Sequence, residues 1–231
     1  MNHNNLLKQD LAGILKQSPI FAGLNNTELI ELSSLAKVKR LVEREMVFWE
    51  GDDSDWFYMV AEGRVRVHKT SSTSKDVILS FFGPGEMFGE VALFENKPYP
   101  ATAQAITEAR LIAINKSDLK LFLLKHPEIT MKMIGILSGR LREAQERLRD
   151  LAGERVEQRL ARLLIRLAIR LGPVLPFTRQ EISDMSGTTT ETTIRILSQW
   201  NKRGITRSVR GKITIIDETK LKMLAEGPPQ V

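Results

Sequence analysis

The chain has 231 residues, of which 42% are hydrophobic and 27% charged, with a formal net charge of +6 and no cysteine. That length suits two domains, and the composition is that of an ordinary globular protein. It excludes disulfides, cysteine-ligated zinc and iron–sulfur clusters, and no apolar run approaches the roughly 20 residues of a membrane-spanning helix.

The opening MNHNNLLKQDLAGILKQ lacks the charged-then-apolar layout of a signal peptide, so the expected location is the cytoplasm, with no membrane partner. Residues 6–19 and 27–36 read as short helices, with Asn26-Thr27 as the cap before Glu28-Leu29-Ile30. From about 38 to 115 the pattern changes to short strands: MVFWEGDD, WFYMVAEG, RVRVHKT, DVILSFFGPG and ARLIAI. Gly51, Gly63, Gly83-Pro84-Gly85 and Lys97-Pro98 punctuate them, which is the pattern of an antiparallel sandwich or barrel. Inside this region FGEVALFENKPYPATAQA has the outline of a phosphate-binding cassette: a Gly-Glu pair, an apolar run, a loop and a strand.

After Ser117 the period is helical. Ser117-Asp118 caps a short helix, and His126-Pro127-Glu128 opens a longer one with Pro in its first turn. Ile134, Leu137, Leu141, Ala144, Leu148 and Leu151 recur at 3, 4, 3, 4, 3, a heptad seam. The flanks Arg142, Glu143, Glu146, Arg147 and Arg149 favour a parallel dimer over a helix buried in its own domain. A break near Gly153 precedes a helix over 154–171, with Leu160, Leu163, Leu164 and Leu167 on one face and Arg155, Arg159, Arg162, Arg166 and Arg170 on another.

Residues 151–231 hold 14 Lys/Arg against 8 Asp/Glu, whereas residues 1–150 balance at 20 each. A neutral part joined to a basic one suggests a sensor tied to something that meets an anion, although a basic surface can also be mere solvation. Within the basic part, Thr178-Arg179-Gln180-Glu181 is a capping box, Ile182 and Met185 face inward, and Gly187 makes a turn. A second helix begins at one of Thr188 to Thr190, turns Ile194, Leu197 and Trp200 inward and stops at Gly204. Ile205–Ser208 and Lys212–Ile216, around Arg210-Gly211, read as a wing hairpin. This is a helix-turn-helix, whose second helix enters a major groove. Glu191 and Arg195 share a face, suited to a cytosine amino group and to a guanine; the plainer reading is a surface ion pair.

The order of parts, with FGEVALF, HPEITMKMIGILSGRL and TRQEI…GTTTETTIRIL, resembles the CRP/FNR superfamily of bacterial transcription regulators, from about Phe21 to Met223. The resemblance implies an α+β chain: N-terminal helices and an antiparallel jelly-roll sensor (1–120), a dimerisation helix (121–153) and a C-terminal winged helix-turn-helix (154–231). It implies a homodimer on palindromic double-stranded DNA with a G·C-containing core in each half, RNA polymerase as a partner, and a small-molecule effector between jelly roll and dimer helix. Thr189, Thr190, Glu191, Thr192, Ile194 and Arg195 form the expected DNA-reading set, although Thr190 replaces an Arg of the cyclic-AMP-binding members. The expected effector pocket comprises Gly89, Glu90, Val91, Tyr99, Pro100, Ala101, Thr102, Arg140 and Ala144.

The phosphate contact of those members does not carry over. Their Arg and Ser/Thr fall on Pro100 and Ala101, or on Tyr99 and Pro100, and their base-contacting pair falls on Ala144 and Gln145. A buried phosphate without a cation is costly, so the cassette reads as a shell that no longer holds cyclic AMP, with Lys97 the one cation near enough to object. YPATAQA resembles the cassette end of regulators of dissimilatory nitrate respiration, which implies heme and a nitric oxide response as an alternative. Heme needs an axial ligand such as His. His3 lies near the terminus, His126 reads as exposed, and His68 reads as outward with Arg64 and Arg66, which leaves it a poor ligand. Met131 and Met133 are read as core. A cyclic-nucleotide signalling module without a DNA role is the alternative from another class. An enzyme is not expected, because no catalytic constellation or Gly-rich nucleotide loop is present.

Overall fold

The computed structural model describes residues 3–70, 76–90, 94–153 and 155–227; Val91 lies outside them, as does the side chain of Leu151. The chain forms two compact units, 1–139 and 140–231.

The first unit opens with α1 (His3–Gln17) and α2 (Asn26–Leu35). The α2 cap is Asn25, one residue before the expected pair, and Glu28 closes a capping box with it. Eight strands follow among the described residues: β1 (Ala36–Leu41), β2 (Met46–Phe48), β3 (Trp56–Glu62), β4 (Val65–Thr70), β5 (Asp76–Phe82), β6 (Met87–Phe88), β7 (Thr102–Ala105) and β8 (Ala109–Asn115). They pair antiparallel as two sheets, β1-β8-β3-β6 and β2-β7-β4-β5, the strand order of a jelly roll.

Two apolar layers explain why β3 is a run rather than an alternation. Tyr58 and Val60 pack between the sheets with Phe48, Val65, Phe82, Phe88 and Leu111. Phe57 and Met59 face the other way, onto Leu15, Leu32, Phe122, Ile129 and Met133 of the helices. Those helices include α3 (Lys116–Lys125), capped by Asn115 rather than by Ser117-Asp118, and the start of α4 (Pro127–Gly153). Met133 is core as expected, whereas Met131 is exposed. His126 is not the exposed residue expected: its ring lies 4.2 Å from that of Phe122 and its side chain is only 12% exposed.

The second unit contains α5 (Val156–Leu171), β9 (Val174–Leu175), α6 (Arg179–Ser186), α7 (Thr190–Lys202), β10 (Thr206–Val209), β11 (Lys212–Ile215) and α8 (Glu218–Glu226). Leu160, Leu163, Leu164 and Leu167 of α5 are buried with Ile182, Leu197 and Trp200. The buried indole N–H of Trp200 donates to Glu157 at 3.0 Å. The wing strands β10 and β11 are joined by β9, which makes a three-stranded sheet. Among the described residues no helix is long and apolar enough to cross a membrane.

Candidate nucleic-acid interface and effector cavity

The interface is assembled from caps inward. Thr178 accepts from the Glu181 amide while the Glu181 carboxylate accepts from the Thr178 amide, which fixes the start of α6. Gly187 ends α6 at φ 64°, a left-handed conformation in which a side chain would be strained. Thr189 then caps α7, accepting from the Thr192 amide at 3.2 Å. Arg159 of α5 donates to the carbonyls of Ser186 and Gly187, both at 3.2 Å, and so satisfies the last carbonyls at the turn between the two helices. Arg162 does the same for α8 through the Ala225 carbonyl at 3.0 Å. The arginine stripe of α5 is therefore in part a set of helix-end clasps. Its regular spacing gives no hint of this, because the carbonyls it meets are remote in sequence.

One face of α7 is core: Thr193, Ile196, Leu197 and Trp200. The opposite face exposes Glu191, Ile194, Arg195 and Ser198. Ile194 was expected to turn inward and does not; it is 40% exposed. At about 100° per residue, Thr193 lies close to the arc of Leu197 and Trp200, and Ile194 falls about 100° further round. Thr190 is committed elsewhere. Its hydroxyl donates to Gln180 Oε1 and lies 3.2 Å from the Ser183 hydroxyl, while the Gln180 amide donates to Asp184 at 2.7 Å. Thr192 is half-buried, 3.0 Å from the Thr189 hydroxyl. Of the expected set, Glu191, Ile194 and Arg195 lie on the exposed face of α7, with the exposed cap Thr189 at its end.

The cassette bounds a partly open cavity of about 90 Å³. Gly89, Glu90, Tyr99, Pro100 and Ala101 of the expected pocket line it, together with Phe48, Val67, Phe82 and Phe88. Gly89 has φ 74°, and a β-carbon there would come within 3.3 Å of the Trp56 carbonyl and the Tyr58 ring. Tyr99 fills the site. It is 3% exposed, its ring stacks on Phe48 with centroids 3.6 Å apart, and its hydroxyl donates to the Trp56 carbonyl and accepts from the Trp56 amide. Burial pushes its phenol pKa up, so it stays neutral. Lys97 does not reach in; its ammonium faces Glu95 at 3.5 Å and its side chain is 73% exposed. No Lys or Arg lines the cavity among the described residues.

Thr102 was expected in this pocket, but it turns to the other face of its sheet, where its hydroxyl accepts from the Glu50 amide at 3.0 Å. The alternation of β7 sends Ala101 and Ala103 inward and Thr102 outward. Arg140 and Ala144 belong to the second unit, the first half-buried and the second exposed.

His68 pairs with Thr102 across β4 and β7, so it shares the outer face with Arg66 as expected. It is not exposed there, at 4%. Its Nε2 lies 3.6 Å from Asp76, and Nδ1 has no partner among the described residues. Burial lowers its pKa, outweighing the opposite pull of Asp76. A residue on that face does not line the cavity, and about 90 Å³ is far below the several hundred typical of a small-molecule site. Among the described residues, His68 is not placed to hold a heme in this cavity, and the lining offers a phosphate no cation.

On the long helix, Ile134, Leu141 and Leu148 are 47%, 61% and 67% exposed, Ala144 is exposed, and Leu137 packs partly against the core.

Comparison with known proteins follows the same division. Residues 38–126 match the cyclic nucleotide-binding domain family and residues 158–224 the Crp-like helix-turn-helix domain family. The chain is similar to the cyclic AMP receptor protein of Thermus thermophilus, 29% identical over 92% of this chain and 99% of that one. Among solved structures it resembles FixK2 from Bradyrhizobium japonicum, with a TM-score of 0.73 at 25% identity over 81% of this chain and 96% of that one. It also resembles the Thermus thermophilus catabolite activator protein, with a TM-score of 0.53 at 30% identity over 91% and 99% of the two chains.

Proposed function

The chain belongs to the CRP/FNR superfamily of DNA-binding transcription regulators, and from that premise we propose a homodimer that reads a palindromic site under an effector other than cyclic AMP. The observation that carries the reading of DNA is the pairing of Glu191 and Arg195 on the exposed face of α7, near its N-terminal end. Recognition helices present that end to base edges, where Arg takes both guanine acceptors and Glu accepts from cytosine. The helix-turn-helix match sets aside a signalling module without a DNA role.

The dimer is supported by the seam residues Ile134, Leu141 and Leu148, apolar and open on α4. An effector other than cyclic AMP is supported by the cassette itself. Tyr99 occupies it, and among the described residues no Lys or Arg lines it to meet a phosphate. A regulator of this type works in the cytoplasm, beside RNA polymerase, and does no chemistry of its own.

Selection from a random duplex library tests the DNA reading. A palindrome with one G·C pair per half that is lost to Arg195→Ala is expected, with a fall of about 10- to 100-fold on the selected site. Undiminished specific binding by Arg195→Ala would falsify the assignment. Calorimetry with cyclic AMP tests the effector reading: no heat is expected, and micromolar binding would overturn it.

A further inference from the structure

We infer that Ile194 is a specificity residue, reading the 5-methyl group of a thymine next to the G·C pair held by Arg195. The inference rests on the DNA-reading assignment above and adds a base to it.

Three observations lead there. First, Ile194 is a large apolar side chain left 40% exposed on a helix that has a well-filled core face of its own. Thr193 occupies the inward position beside it, fully buried, so packing of the helix-turn-helix does not need an isoleucine at 194. Second, its neighbours on that face are the two base-reading candidates, one residue before Arg195 and three after Glu191. Third, the other side chains at this end are spent. Thr190 is tied to Gln180 and Ser183, and Thr189 caps the helix.

The major groove offers one apolar feature to such a side chain, the thymine methyl; the other base edges present donors and acceptors. Ile has neither donor nor acceptor, so against a C·G or G·C pair it would strip water from polar base edges and return nothing. Against T·A it buries a methyl. The discrimination is thus of an apolar kind, independent of the Arg195 and Glu191 hydrogen bonds.

Replacing single thymines of the selected site by deoxyuridine removes that methyl and no hydrogen-bonding group. With the full-length protein, one thymine position per half-site should lose about fourfold in affinity on this replacement. Ile194→Ala should bind the thymine site more weakly than the parent and show no penalty for deoxyuridine at that position. Because Ile194 packs no core, the variant should melt with the parent, and Arg195-dependent guanine preference should persist in it. If deoxyuridine costs nothing at any position, or costs as much in Ile194→Ala as in the parent, the inference is overturned while the DNA-reading assignment survives. A parent protein that selects no sequence would overturn both.

Discussion

Thr193 carries a hydroxyl into a fully buried position of α7, and that oxygen has no hydrogen-bond partner among the described residues. A buried polar atom left unpaired costs about 1–3 kcal/mol, and an isosteric methyl removes the cost. Thr193→Val should therefore raise stability by about 1 kcal/mol in urea unfolding; a destabilised variant would mean the hydroxyl is bonded after all. His68 is the acid-side counterpart in the jelly roll. Burial holds its pKa below the usual imidazole value, with Asp76 pulling it back and Arg66 reinforcing the shift. The unfolded chain thus takes up the proton first, so stability rises with pH across this range. The contribution is whole above about pH 6.5 and is lost as pH falls through the lower folded-state value. Melting temperature should drop more steeply from about pH 7 to pH 5 in the parent than in His68→Gln. Parallel curves would dismiss the imidazole as the cause.

Some elements owe their ends to neighbours in sequence and others to side chains that arrive from elsewhere. The capping box at Thr178 is local and legible in sequence, whereas the equally local one at Asn25 lies one residue before the pair the sequence suggests. The end of α6 is different. Its last carbonyls are met by Arg159, 27 and 28 residues away, from another helix. The turn that aims α7 thus leans on α5. Arg159→Ala should cost about 1–2 kcal/mol of stability, since two carbonyls lose a charged donor. It should also weaken specific DNA binding more than nonspecific binding. Lys, with a single ammonium in place of a fork, should restore little of either. Full recovery by Arg159→Lys would show that charge alone matters. The cassette follows the same logic: the ring of Tyr99, stacked on Phe48 of β2, fills much of it.

For the molecule as a whole, the proposed dimer makes the exposed face of α4 the place to break it. Leu141 and Leu148 sit open, seven residues apart. Charges at both positions would repel across a parallel seam and could not be desolvated. Leu141→Glu with Leu148→Glu should sediment as a monomer and lose cooperative binding to a palindrome. Its two units should stay folded, because neither side chain packs within the chain. A variant that remained dimeric would place the interface elsewhere.

What the sequence by itself determined is everything that depends on neighbours along the chain. The strand–turn rhythm from 38 to 115, the heptad spacing, the helix-turn-helix caps and the missing cation at Tyr99-Pro100-Ala101 all follow from local geometry and side-chain chemistry. What only the tertiary structure decided is which atoms far apart in the chain share one small volume. It turned Ile194 outward and Thr193 inward, withdrew Thr190 to Gln180, sent Thr102 away from the cavity, buried His68 and half-buried His126. It also filled the cassette with Tyr99. Periodicity fixes a face only to within about one residue, roughly 100° on a helix. Which side of that margin a side chain takes depends on packing against elements remote in sequence, as Trp200 meets Glu157 and Thr102 meets Glu50.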